Sequence, residues 1–269
     1  MSTRPALAVA LLALCVVSAC GGGKKTPSSK APSDRFAASN FGAPARAANQ
    51  WLPLKPGTQW VREGRVNIGH RRLSHRVVST VTDVSKKVDG VLTVGVVDQD
   101  FNGGQIGEQS VDWFGEDKQG NVWDLGSYTE SYEGGQFVNA SDARLAGIKG
   151  SKPGILIKGS PRRGDAWPAA YVVETGRTKC VPFKCYRDVL VIAEGDGSEY
   201  KYFAPGVGQL SAEPRTNGGK QEVENLVNLT RLSPRGLSEM SAVVLRLDGH
   251  ARTEAKDVFG RAPAAKRTL

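Results

Sequence analysis

Val91-Leu-Thr-Val-Gly-Val-Val-Asp-Gln-Asp-Phe-Asn102, Gly103-Gly104 and Gln105-Ile-Gly-Glu-Gln-Ser-Val-Asp-Trp-Phe-Gly-Glu116 read as two strand runs, near 91–101 and 107–116, joined by a turn. Leu92, Val94 and Val96 alternate with Thr93 and Gly95, and Val111 and Trp113 bracket Asp112. A period of two is that of a strand with one face buried and the other wet. The same texture extends in both directions. Thr58-Gln59-Trp60-Val61-Arg62 starts a series of β-rich runs that continues near 75–84 and 121–128, with turn signals at Asp89-Gly90 and Lys118-Gln119-Gly120-Asn121. Runs resume near 169–176, 186–194, 198–204, 207–213 and 221–231. The turns there are Glu194-Gly195-Asp196-Gly197, Ala204-Pro205-Gly206 and Thr216-Asn217-Gly218-Gly219. Such spacing predicts antiparallel strands joined by hairpins.

No strand is followed by the amphipathic helix that a parallel sheet requires. The middle, 134–168, is weakly periodic, with Gly134-Gly135 as another hairpin turn and Ile155-Leu156-Ile157 as an apolar island. One helix is predicted near the C-terminus. Ser233 is suited to the N-cap and Pro234 to the first turn. Leu237, Met240, Val243, Val244 and Leu247 follow helical spacing as a core-docking stripe, and Gly249 lies near the expected end. The basic tail is expected to fray after Phe259. The predicted fold is therefore mainly β: an antiparallel meander forming a curved half-barrel or sandwich, with one C-terminal helix.

The chain begins with Arg4, an apolar run from Ala6 to Val17, and the small residues Val17-Ser18-Ala19 before Cys20. That is the layout of a secretory signal. The run is shorter than the ~20 residues of a membrane span. Val17-Ser18-Ala19-Cys20 resembles the lipobox of bacterial lipoproteins, in which the cysteine receives a diacylglyceryl thioether. The resemblance implies a signal peptide over 1–19, a lipid on Cys20, and a place at the cell membrane on its extracytoplasmic side. Residues 20–50, rich in Gly, Lys, Ser, Pro and Ala, read as a flexible tether. The β domain is expected over 51–232, and the helix with its tail over 233–269.

The net charge of +9 favours anionic partners such as phospholipid headgroups or cell-wall polymers. An exported protein is not expected to meet nucleic acid. The densest basic stretch runs from Arg62 and Arg65 through His70 to Arg76. Within it Arg71, Arg72 and Arg76 are candidate anion-binding residues, weighed against solvated strand edges that discourage unwanted pairing.

Of four cysteines, Cys180 and Cys185 remain after Cys15 and Cys20 are assigned to the leader and the lipid. In an oxidising compartment they read as a disulfide. No metal or cofactor is expected, because His70, His75 and His250 are the only histidines and no further cysteine ligand is left.

Other motifs are weaker. Asp98-Gln-Asp100-Phe-Asn102-Gly103 begins like a calcium loop, but Gln109 stands where a glutamate is required, and a hairpin turn explains the same residues. Arg163-Gly164-Asp165 is read as part of a turn. Neither a nucleophile elbow, a zinc-protease motif nor a phosphate-binding glycine loop occurs, so a noncatalytic protein is expected. The acid pairs Glu116-Asp117 and Asp196/Glu199 fall in polar turns. Trp60, Trp113, Trp123 and Trp167 fill the core of a sandwich or line the groove of an open half-barrel.

Leu52-Pro-Leu-Lys-Pro-Gly-Thr-Gln-Trp60, Asp112-Trp-Phe-Gly-Glu-Asp117, Gly120-Asn-Val-Trp123 and Lys201-Tyr-Phe-Ala-Pro-Gly-Val-Gly208 resemble an uncharacterised group of bacterial secreted proteins and lipoproteins sharing an all-β domain. The likeness spans about 51–231 and implies an exported β domain without assigning an activity. The expected function is a membrane-anchored protein that binds an apolar or amphiphilic ligand in a concave sheet. The alternative is an interaction module docking on an envelope protein through a strand edge or the helix. A hydrolase comes third, and requires clustered acids or His70 and His75 in a cleft.

Overall fold

Tight turns of the mirror-image type set the first half of the molecule. In Asp89-Gly90 both residues have positive φ (45° and 83°), as do both residues of Gly103-Gly104 (61° and 82°). This is the backbone that matches the twist of two antiparallel strands and that glycine adopts without strain. A computed structural model describes residues 35–44, 48–194, 197–215 and 222–268, with the side chain of Ser141 excepted. The predicted signal segment, Cys20, residues 21–34 and 45–47 of the tether, and the turn at Thr216–Gly219 lie outside the described residues, as do Gly195 and Asp196.

Six strands follow one another as a meander: β1 (Thr58–Ile68), β2 (Arg71–Val88), β3 (Val91–Asn102), β4 (Gln105–Glu116), β5 (Val122–Glu133) and β6 (Gln136–Leu145). After two short strands, β7 (Gly154–Ile157) and β8 (Ala166–Trp167), a second meander is built from β9 (Ala170–Cys180), β10 (Cys185–Glu194), β11 (Glu199–Ala204), β12 (Gly208–Pro214) and β13 (Val223–Arg231). The two meanders join where β1 pairs with β13, giving the order β6-β5-β4-β3-β2-β1-β13-β12-β11-β10-β9-β8. β7 pairs with β5. The protein is mainly β, 57% strand, in one large antiparallel sheet that does not close. Register shifts at Val61/Arg62, Val81/Ser85 and Trp113/Phe114 bend it.

The C-terminal helix α1 (Pro234–Glu254) is capped as the sequence predicts: Ser233 Oγ accepts from the Gly236 amide at 3.2 Å. It runs past Gly249, whose exposed position costs about 1 kcal/mol relative to alanine without ending the helix. Val244, Leu247 and Ala251 are buried, whereas Leu237 and Met240 are only partly so. A short turn of helix, α2 (Lys256–Phe259), follows.

The helix lies across β2–β6, against the face that carries Trp113 and Tyr128. That contact overturns the expectation that β3 keeps a wet face. Thr93, Gly95 and Val97 are buried along with Val94 and Val96, and Leu92 is the exposed residue.

Two other expectations are corrected. The tail does not fray after Phe259: β14 (Lys266–Arg267) pairs with β2, and Arg267 forks onto Asp83. Part of the supposed tether belongs to the folded body. Phe36 and Phe41 pack on Trp123 with ring centroids 5.8 and 6.0 Å away, and the amides of Ala48 and Asn49 donate to Glu116. The Cys180–Cys185 disulfide is formed and joins the facing ends of β9 and β10.

Candidate functional site

Strand alternation sends every second side chain of the bent sheet to the face opposite the helix. There β1–β5 and β10–β12 look at one another across a cavity of about 290 Å³. Leu52, Trp60, Val96, Phe114, Leu156 and Phe203 give it apolar wall. Asp98, Asp112, Asp124 and Glu194 face the same space, with Arg62 and Lys201 as the cations.

The cations are already committed. Arg62 Nε is 2.9 Å from Glu224 Oε1, and its Nη2 donates to Ser79. Lys201 lies 2.6 Å from Glu194 and 3.6 Å from Glu199. Arg144 forks onto Asp124 at 2.6 and 3.1 Å. Asp98 keeps a buried Oδ1 with no hydrogen-bond partner.

Carboxylates therefore outnumber the positive charges available to them, and two of the acids are shifted upward as a result. Burial, reinforced by the charges of Asp98 and Asp124 and opposed by a Ser127 hydrogen bond and Arg144, pushes Asp112 up to about 8. Burial also raises Glu199, to about 7: Lys201 pulls it down, but Glu194, Glu222 and Glu224 push it up. A protein with net charge +9 thus encloses an acid-rich interior.

The predicted site residues scatter. Of the four tryptophans only Trp60 lines the cavity. The register of β4 turns Trp113 to the helix face, where it packs beside Gly95 and lies 5.8 Å from Lys86 Nζ. Trp123 is covered by Phe36 and Phe41 and donates to Asp117. Trp167 stands opposite Ala170 with Lys158 5.7 Å from its ring. The cavity on this face is lined mostly by other side chains.

Arg71 and Arg72 are exposed next to the β1–β2 turn on opposite faces, and Arg76 pairs with Glu63 at 3.2 Å. Arg72 and Arg76 share one face of β2 and Arg71 lies on the other.

His70 sits in that turn, well separated from His75, which is buried inside the sheet. Burial opposes the charge of His75, yet hydrogen bonds to Asp100, Glu222 and Asn102 outweigh it and hold the ring up to about 11. Asp98, Asp100 and Asn102 lie on β3 before the Gly103-Gly104 turn, as the hairpin reading requires.

No protein-family model matches the chain, and no curated protein matches it. Among solved structures, a "putative lipoprotein" from Parabacteroides distasonis is similar over 68% of this chain and 99% of its own, at 13% identity and a TM-score of 0.33. A likeness that slight carries no argument about function.

Proposed function

We propose that this chain is a lipid-anchored protein of the extracytoplasmic membrane face, noncatalytic, whose curled sheet holds a small amphiphile with a positively charged head. The observation that carries the reading is the cavity, in which apolar wall and surplus carboxylates meet in one space. At about 290 Å³ it lies at the small end of ligand sites, which span ~300–1,000 Å³. It suits one short chain and its head, rather than a diacyl lipid. Apolar wall shelters the chain, while a cationic head gives Asp98 a partner and relieves the crowding of acids around Asp112. The anchor rests on Val17-Ser18-Ala19-Cys20. It accords with α1, the long helix among the described residues, being too polar to cross a bilayer.

Calorimetry with matched single-chain amphiphiles, one alkylammonium and one alkyl sulfate, tests the binding. Saturable binding of the ammonium and its weakening in Asp98→Asn are expected. Preference for the sulfate, or no binding of either, overturns the reading. The anchor is tested by fatty-acid labelling of the wild type and Cys20→Ala in cells; equal labelling of both removes it.

A second reading has one observation in its favour. Asp98 and Asp112 are diagonal neighbours on β3 and β4, one of them held protonated near neutral pH, as in an acid–base pair. Turnover of a glycoside or ester that disappears in Asp112→Asn would move the protein into that class.

A further inference from the structure

Where β2, β1 and β13 run side by side, one row across the sheet carries His75, Gly64 and Glu224. A Cβ on residue 64 would lie 1.7 Å from the Val223 carbonyl oxygen, so glycine lets β13 close in on this row. Glu222, two residues before Glu224, brings a second carboxylate. One ligand atom from each of His75, Glu222 and Glu224 lies within 4.8 Å of the other two. His75 is 1% exposed and Glu224 4%.

The hydrogen bonds around this group leave one buried oxygen, Glu224 Oε2, unmatched. Asn102 spends its amide on Asp100 at 3.0 Å, which turns its carbonyl oxygen towards His75 Nδ1 at 2.9 Å. Nδ1 must therefore donate, and Nε2 is the atom aimed at the glutamates. Nε2 lies 2.9 Å from Glu222 Oε1, as an ion pair. In Glu224, Oε1 accepts from both Arg62 and Gln209, while the buried Oε2 has no hydrogen-bond partner. A buried carboxylate oxygen left in that state is costly.

We propose that His75 Nε2, a Glu222 oxygen and Glu224 Oε2 bind a divalent first-row transition-metal ion, with zinc the best match. One imidazole nitrogen and two carboxylates suit such an ion, whereas calcium takes six to eight oxygens. Two ligands at ~2.0–2.1 Å from a tetrahedral ion stand about 3.3 Å apart, so the present 2.9 Å separation has to open by only a few tenths of an ångström. Glu222, with its side chain 31% exposed, supplies that movement and the way in for the ion. The Nδ1 contact with Asn102 and Asp100 is the outer hydrogen bond that metal-bound histidines carry. On binding, the ion replaces the proton on Nε2, which leaves to solvent, and water takes the fourth position. The site stands apart from the amphiphile reading, although Arg62 and Gln209, which hold the other oxygen of Glu224, both line the cavity.

The test uses the full chain stripped with a chelator and titrated with zinc, followed by calorimetry and by thermal unfolding. One zinc per chain is expected, with a melting temperature that rises with free zinc. His75 ring resonances should shift while those of His70 and His250 stay in place, a readout that needs no variant. Asn102→Ala should weaken binding about 10-fold, and Glu222→Gln by more than that. Three results each overturn the site: no saturable binding, equal affinity in Glu222→Gln and wild type, or ring shifts at His70 or His250 in place of His75.

Discussion

The two faces of β2–β5 both bury charge, and they treat it in opposite ways. On the helix face Lys86 Nζ meets Asp248 at 2.7 Å and the Pro263 carbonyl at 2.7 Å, and the other oxygen of Asp248 accepts from the Ala265 amide. Asp83 is held there by Ser241 and by the Arg267 fork. The charges of Lys86, Asp248 and Asp83 on that side are all shared out between partners. On the cavity face Asp98 and Glu224 keep unmatched oxygens, and Asp112 holds on to its proton. Matched charge fixes where the helix and tail dock; unmatched charge is left for something the chain does not itself supply.

The largest effect should come from breaking the matched face. Lys86→Ala leaves Asp248 buried without its cation and is expected to cost about 3–5 kcal/mol, read by guanidinium unfolding. Lys86→Met combined with Asp248→Leu removes both charges at similar volume and should return most of that loss. If it does not, the pair matters for more than mutual compensation.

On the unmatched face the sign reverses. An unfolded aspartate ionises near 3.9, whereas folded Asp112 ionises at about 8. Between those values the folded state binds the extra proton, so stability falls as pH rises through the window. Asp112→Asn should leave stability unchanged near pH 4 and raise it by roughly 1–3 kcal/mol at pH 8, because partial contact with water discounts the full shift. A loss at pH 8 would show that Asp112 is matched after all. The smallest effect sharpens the account of docking: Ser233→Ala removes the helix cap and should cost about 1 kcal/mol, seen as a lower urea midpoint with an unchanged slope.

Local chemistry made the strands readable. Positive-φ pairs such as Gly103-Gly104 and the alternation of Val94 with Val96 speak of hairpins wherever they occur, and Ser233-Pro234 marks a helix start in any context. The cavity was not readable in the same way. Asp98, Asp112 and Asp124 look like solvated residues of alternating strands until the second meander folds over them. The choice of Trp60, Trp113, Trp123 and Trp167 failed because bulkiness does not reveal facing: on β4 Asp112 and Phe114 line the cavity, and alternation sends Trp113 between them to the helix face. His75 and the Glu222/Glu224 pair belong to separate stretches of chain, and only the pairing of β1 with β13 brings them together. No spacing rule spans that distance. The wet face expected of β3 failed for a related reason, since the helix that covers it lies far ahead in the chain.

The β1–β13 seam has a kinetic consequence. Hairpins within each meander can zip as they are made, whereas Trp60 must wait for Leu229 at the other end of the body. Such a non-local closure is slow, since the intervening loop entropy is lost before the pairing contributes. Until it happens β1 is an open edge able to pair with another chain. As the chain emerges, the first meander stands with that edge bare until β13 arrives, an interval in which it is open to aggregation.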